Sequence, residues 1–356
     1  MATVKMRKLS LFVLKEQKEE LLFELMLLGC VDFTEPDYIL RNPEATGLVR
    51  REPGNLEARL ADYRALSKGL EIISKHFPSK RVKPSQRPKI TQKELFDEKD
   101  LTACIERAKS LAVLDAKLHF LGDEEIREKY IIESLEPWSS LTLPLDSGGT
   151  ERASAIIGTV SATIDTGTLE KALSAAVSEA SCSVISSDSA RHYLSIICLR
   201  EKEDNVLDVL RPFGFAVSPL KKFNGTASEN IKRISSQIAE MQKVKWQILT
   251  QIEEQMKFED ALRRCYDLTG TQVARAEAAE KLLATGSSFY ATGWMPATSE
   301  SSLSALLAKY TCAWELTDPP EDELEAVPVI SKRGTANQIF SPLRVTTTYV
   351  DFSAKS

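Results

Sequence analysis

From Asn230 to Thr285 apolar residues recur at Ile231, Ile234, Ile238, Met241, Val244, Ile248, Ile252, Met256, Leu262 and Cys265. The steps are mostly three and four, the period of one helix face. No Pro interrupts the stretch after Ser228, and Gly270 is the only Gly before Gly286. A helix of about 55 residues at 1.5 Å per residue is roughly 80 Å long. A chain of 356 residues has no room for that inside one compact core. The spacing therefore predicts an arm paired with helix from elsewhere in the chain, with Ile231, Ile234, Ile238, Met241, Ile248, Ile252 and Leu262 in the seam.

The partner is read upstream. Leu95, Leu101, Ile105, Ala108, Leu111, Leu114, Leu118 and Leu121 keep the same spacing from Glu94 onward. Gly122 and Asp123 are a potential break, and Ile126, Tyr130, Ile131 and Leu135 carry the pattern to Pro137 and Trp138. A shorter stripe, Leu56 to Phe77, ends at Pro78 and covers one end of the rod. Between them, Lys75 to Lys93 holds seven Lys or Arg, no acid, and prolines 78, 84 and 88. Such a block reads as a solvated loop, with a patch for an acidic partner or anionic lipid as the other reading.

The lobes come from the remaining segments. Residues 3–14 alternate like a strand with one phase slip, 15–28 read as a helix ended by Gly29, and 30–33 begin a second strand. Residues 288–295, 299–310 and 311–316 give a matching strand, helix and strand. The two halves make one domain with everything else inserted between them, because an antiparallel arm returns the chain to its starting end. In the middle, strand 155–164, helix 167–178, strands 181–187 and 192–200, helix 203–211 and strand 214–220 form a ferredoxin-like β-α-β-β-α-β unit. The expected fold is α+β, an elongated dumbbell of two ferredoxin-like α/β lobes joined by a long antiparallel helical rod. Its parts are 1–50 with 286–356 (proximal lobe), 51–137 with 226–285 (rod) and 138–225 (distal lobe). Trp138, Trp294 and Trp314 flank the lobe–rod junctions, and Trp246 reads as a packing residue within the arm.

Little of this sequence points to chemistry. His76, His119 and His192 lie on different elements, and Gly148-Gly149 lacks the Gly-Lys-Ser/Thr of a phosphate loop. No catalytic residue, cofactor site or metal site is expected. Cysteines 30, 104, 182, 198, 265 and 312 form no C-x-x-C and read as reduced thiols of a cytosolic chain, with 182 and 198 near each other on a hairpin around Ser187–Ala190. No run reaches the roughly 18 apolar residues of a membrane span. A formal charge of −5 argues against bulk nucleic-acid binding. Asn224-Gly225-Thr226 is read as a turn rather than a glycosylation site.

Several local stretches, in their order, resemble a known family. They are Val4 to Leu11 with Leu28-Gly29-Cys30-Val31, Leu135-Glu136-Pro137-Trp138-Ser139-Ser140-Leu141, Gly158-Thr159-Val160, Phe213-Gly214-Phe215, and Tyr290-Ala291-Thr292-Gly293-Trp294-Met295-Pro296. Pro319-Pro320, Val327-Pro328 and Pro342 to Tyr349 complete the series. The chain resembles the cytosolic N-terminal half of subunit I, or subunit a, of rotary V/A-type ATPases. The resemblance implies a non-catalytic stator on the cytoplasmic face of a membrane, part of a proton-translocating complex. Its implied partners are the peripheral-stalk E and G subunits at the lobes, the central rotor cap near the proximal lobe, and a membrane half that would follow this sequence. No nucleic acid and no cofactor are implied. Two other classes compete with it. Paired ferredoxin-like lobes also occur in ligand-sensing regulatory proteins, which would need convergent polar groups at a lobe interface. A coiled-coil chromosome or septum protein would need a nucleotide motif or a larger basic face.

Overall fold

The computed structural model describes residues 4–36, 39, 49–51, 54–78, 89–320, 327–328, 340–348 and 352–353. In chain order the elements are β1 (Met6–Leu14), α1 (Lys18–Leu28), β2 (Asp32–Thr34), α2 (Leu56–His76), β3 (Ile90–Thr91), α3 (Gln92–Leu95) and α4 (Leu101–Leu135). Then follow β4 (Ala153–Ser161), α5 (Thr166–Ala176), β5 (Ser181–Ser187), β6 (Arg191–Leu199), α6 (Glu203–Leu210) and β7 (Ala216–Val217). The chain continues through α7 (Ala227–Gln255), α8 (Glu259–Glu280), β8 (Leu283–Ala284), β9 (Ser288–Pro296), α9 (Glu300–Leu307), β10 (Cys312–Thr317) and β11 (Phe352–Ser353). It divides into two compact units, residues 1–115 with 251–356 and residues 116–250.

In the first unit, alternation in β1 buries Leu9, Leu11 and Val13 on one face. β1 pairs antiparallel with β9 (Leu11↔Ala291) and with β10 (Leu9↔Leu316), and β2 adds to β9 (Phe33↔Gly293). The order is β10-β1-β9-β2, with β8 also on β9, so strands from the two ends of the chain alternate within one sheet. The buried stripe of α1 (Leu21, Leu22, Leu25, Met26) and that of α9 (Leu303, Leu306, Leu307) share a core with these strands. Each fully buried Leu of this kind contributes about 1.5–3 kcal/mol. α1 stops because Gly29 adopts φ 64°, a left-handed cap that lets its N–H reach Leu25 O at 2.9 Å. Leu343 belongs to the same core, and its N–H bonds Val31 O at 2.8 Å.

Three helices of this unit pack side by side. α2 lies antiparallel to α8: Arg59 donates to Gln272 at 2.8 Å, and Tyr63 and Tyr266 stack with hydroxyls 2.5 Å apart. It lies parallel to the start of α4, since Gly69 meets Ala108 while Lys75 and His76 both reach Asp115. A Cβ at Gly69 would stand 2.9 Å from that of Ala108, so the glycine sets the closeness of the crossing. The entry to α4 is tied antiparallel to α8 by Gln272 on Glu98 (2.7 Å) and Arg264 on Asp100 (2.9 Å).

The second unit builds its sheet in the order β5-β6-β4-β7, all antiparallel. Numbered within each unit, the four main strands of both sheets run 4-1-3-2. Leu169 and Leu173 of α5 and Val206 and Leu210 of α6 cover Ile156, Val160, Leu194, Ile196 and Cys198. Asp165 accepts from Thr168 N at 2.9 Å to start α5. Thr226 and Glu229 form a reciprocal capping pair that starts α7, where the Asn224-Gly225-Thr226 turn was expected.

Some expectations change in detail. The arm is not one helix: a 3-10 turn, Met256–Phe258, separates α7 from α8, and α8 ends at Glu280. The outgoing helix is likewise split, because the capped turn of α3 closes at Phe96 and Asp97 then accepts from Lys99 N before α4 begins. Gly122 and Asp123 do not break α4, which runs unbroken past them; Gly122 has open space around it. The last strand of the middle sheet is two residues long, hemmed by left-handed Gly214 and by Pro219, which has no N–H to donate. Cys182 pairs with Ile196, so Cys198 lies two residues further along β6. Of the basic block from Lys75 to Lys93, positions 79–88 lie outside the described residues, while its ends belong to α2, β3 and α3; positions 37–38, 40–48 and 349 also lie outside them.

Candidate docking surface

Two of the three histidines, His76 and His192, make side-chain ties within the fold. His76 Nε2 lies 2.7 Å from the buried carboxylate of Asp115. His192 Nδ1 lies 2.7 Å from Ser187 Oγ across the β5–β6 hairpin, a pair no sequence motif marks. Asp188 beside it is spent on the turn, accepting from the N–H of Ala190 and Arg191 and the hydroxyl of Tyr193. Those bonds hold its carboxyl below the usual range. Among the described residues no cluster of His, Cys, Asp or Glu could hold a metal ion. No helix among them is long and apolar enough to cross a membrane.

The expected seam residues are distributed as follows. Ile234, Ile238, Ile248, Ile252 and Leu262 are buried, and Ile231 and Met241 half-buried. In the second unit α7 runs antiparallel to α4, fixed by a polar node. Glu125 of α4 is buried and accepts from Lys245 (3.0 Å) and Gln242 (3.1 Å) of α7 and from Lys129 (2.7 Å) one turn on. The Lys129, Lys245 and Gln242 bonds hold its carboxyl down at about 2. The i,i+4 spacing of Glu125 and Lys129 is the one trace of this node visible along the sequence.

The tryptophans separate. Trp138 is fully buried among Leu135, Leu141, Leu220, Ile234 and Ile238, edge-on to Tyr193 at 5.4 Å. Trp294 is buried in β9 opposite Lys8 and Asp32. Trp314 on β10 is 36% exposed. Trp246 is 70% exposed, which corrects the reading of it as a packing residue. It sits two residues, about 200° of helix, from buried Ile248, and therefore points to the opposite side.

Trp246 is one of several large apolar side chains in water. Phe120, Ile126 and Tyr130 of α4 are more than 60% exposed. On the second sheet, Ile197 and Leu199 lie on the face away from α5 and α6, beyond the part that Trp138 covers. A groove of about 520 Å³ opens between Tyr130, Trp138, Arg191, Val217, Lys222 and Phe223. Beside it β7 is an edge strand, paired among the described residues only with β4. Exposed aromatics, an open sheet edge and a groove are the features of a protein-docking surface.

No protein-family model matches the chain. Over 138 residues, 38% of its length, it is 27% identical to A-type ATP synthase subunit I of Methanocaldococcus jannaschii. The chain is similar to subunit I of an archaeal ATP synthase. The match spans 20% of the length of that subunit I. The crystal structure of the cytoplasmic N-terminal domain of subunit I, homolog of subunit a, of V-ATPase aligns over 87% of this chain and 99% of its own. That alignment has a TM-score of 0.47 and 18% identity.

Proposed function

We propose that this chain is the cytosolic part of subunit I of a rotary V/A-type ATPase and acts as a non-catalytic stator. The observation that carries the proposal is the match to A-type ATP synthase subunit I. The exposed aromatic positions and the groove of the second unit support a docking role. In this reading both sheets belong to ferredoxin-like lobes, for which the shared 4-1-3-2 order is the support. Residues 1–50 with 286–356 form the proximal lobe, 138–225 the distal lobe, and 51–137 with 226–285 the rod of the dumbbell between them. Peripheral stalks of E and G subunits dock on the lobes, the central rotor cap lies near the proximal lobe, and the membrane half anchors the arm at the cytoplasmic face. The chain resists torque while nucleotide chemistry and proton transfer happen elsewhere in the complex. Antiparallel helices suit such a load, because hydrogen bonds along each axis resist stretching while the helices bend gently.

Affinity isolation of the full-length tagged protein from native membranes tests this. Head and stalk subunits of a rotary ATPase should co-purify in fixed ratio. Recovery of the protein without any of them would overturn the assignment.

A further inference from the structure

Arg275 of α8 is half-buried, and its Nε is fully buried with no hydrogen-bond partner among the described residues. The contact its guanidinium does make is with the ring of Phe23, whose centroid is 5.5 Å away. A guanidinium carries five N–H donors and stays charged at any physiological pH. Removing such a donor from water without an acceptor is costly. Arg275 lines a cavity of about 390 Å³ together with Arg59, Lys18, Gln272, Asn55 and Glu19. Three basic residues against one acidic residue leave this lining with a formal charge of +2. Glu280 also stands beside Gly54 at the wall, and the cations remain in excess.

The arginine next to it is held in place. Arg59 donates to Gln272 Oε1 at 2.8 Å, and Gln272 Nε2 donates to Glu98 at 2.7 Å. Gln272 is itself buried, so one arm of the Arg59 fork is fixed and its other donors remain for a ligand. Neither the packing of this unit nor the docking surface of the other accounts for two arginines converging on a polar cavity. We propose that the cavity binds a phosphate-type oxyanion, on the guanidinium groups of Arg275 and Arg59. No bond is made or broken; the anion accepts N–H bonds from the two guanidinium groups.

Calorimetry of the whole chain with inorganic phosphate, at constant ionic strength set with chloride, tests the site. Co-sedimentation with phosphatidylcholine vesicles, with and without phosphatidic acid, tests a lipid headgroup as the source of the same chemistry. The wild type should bind phosphate saturably, and Arg275→Gln should weaken binding at least about tenfold, the worth of one charge-assisted hydrogen bond. Binding to the phosphatidic acid vesicles alone, lost in Arg275→Gln, would support the site with a headgroup as its ligand. If Arg275→Gln does not fold, Arg59→Gln takes its place with the same expectation. Absence of saturable binding in both arms, or binding unchanged in the folded variants, would overturn the proposal.

Discussion

Asp267 of α8, buried to 3% exposure, accepts from both the backbone N–H and the hydroxyl of Thr348, at 2.8 and 2.9 Å. The residues lie 81 positions apart, so this carboxylate ties the segment after the last β-α-β half to the helix before it. Burial outweighs these bonds and raises the Asp267 carboxyl above its ordinary value. The folded state therefore holds this proton to higher pH than the unfolded state does. The contribution of Asp267 to stability is fully present below its unfolded value near 3.8 and is lost as pH rises through the folded value. Asp267→Asn keeps an acceptor without the charge. The melting temperature of wild type minus that of Asp267→Asn should fall as pH rises from 3.5 or so towards neutral. A difference that grows with pH would contradict the assignment. Asp267→Ala, which strands two donors, should cost about 1–3 kcal/mol.

Glu125 behaves in the opposite sense. Its carboxyl is held at about 2 against an ordinary 4.5, so it stabilises the fold above pH 4.5 and loses that contribution as pH falls towards 2. Glu125→Gln should lower stability at pH 7 by about 2 kcal/mol, the scale of hydrogen bonds to a charged group, and by progressively less in acid. Chemical denaturation at a series of pH values reads this directly, and equal losses at pH 7 and pH 2.5 would count against it.

Gly69 fixes the spacing of α2 and α4. Gly69→Ala gains about 1 kcal/mol of helix propensity. It also drives a methyl to within 2.9 Å of Ala108 Cβ. Overpacking of this kind costs about 1–3 kcal/mol, so a net loss is expected. Gly69→Ala combined with Ala108→Gly should recover most of the packing loss. A stabilised single variant would show that the helices separate freely.

Ile248 and Ile252, 3% and 0% exposed, test the stripe from which the fold was read. Ile252→Asp buries an unpaired carboxylate and should cost more than about 4 kcal/mol, with loss of helical circular dichroism. Unchanged helicity and melting would place Ile252 outside any seam.

How far the chain could be read in advance follows from where the determinants lie. The β-α-β halves at the two ends were legible because alternation in Leu9, Leu11 and Val13 and the glycine after Leu28 are local signals. The break at Met256–Phe258 was not, since its residues continue the apolar period and no Gly or Pro marks them. Trp246 misled because hydrophobicity alone assigned it to the interior, although its phase relative to Ile248 already pointed outward. The Asp267–Thr348 tie, the Glu125 node and the contact of Arg275 with Phe23 depend on pairs brought together by the fold, and spacing along one helix does not reveal a partner on another.

Tyr130 and Trp246 are 74% and 70% exposed. Removing either ring should leave melting within about 0.5 kcal/mol of wild type, as for other surface positions. Their value lies in the most direct test of the stator assignment, sedimentation velocity of the purified chain mixed with a peripheral-stalk E–G heterodimer. A faster-sedimenting complex should form with the wild type and weaken at least about tenfold when Tyr130 and Trp246 are both replaced by Ala, the loss typical of a docking hot spot. Independent sedimentation of the wild-type chain and the heterodimer across the micromolar range would contradict it.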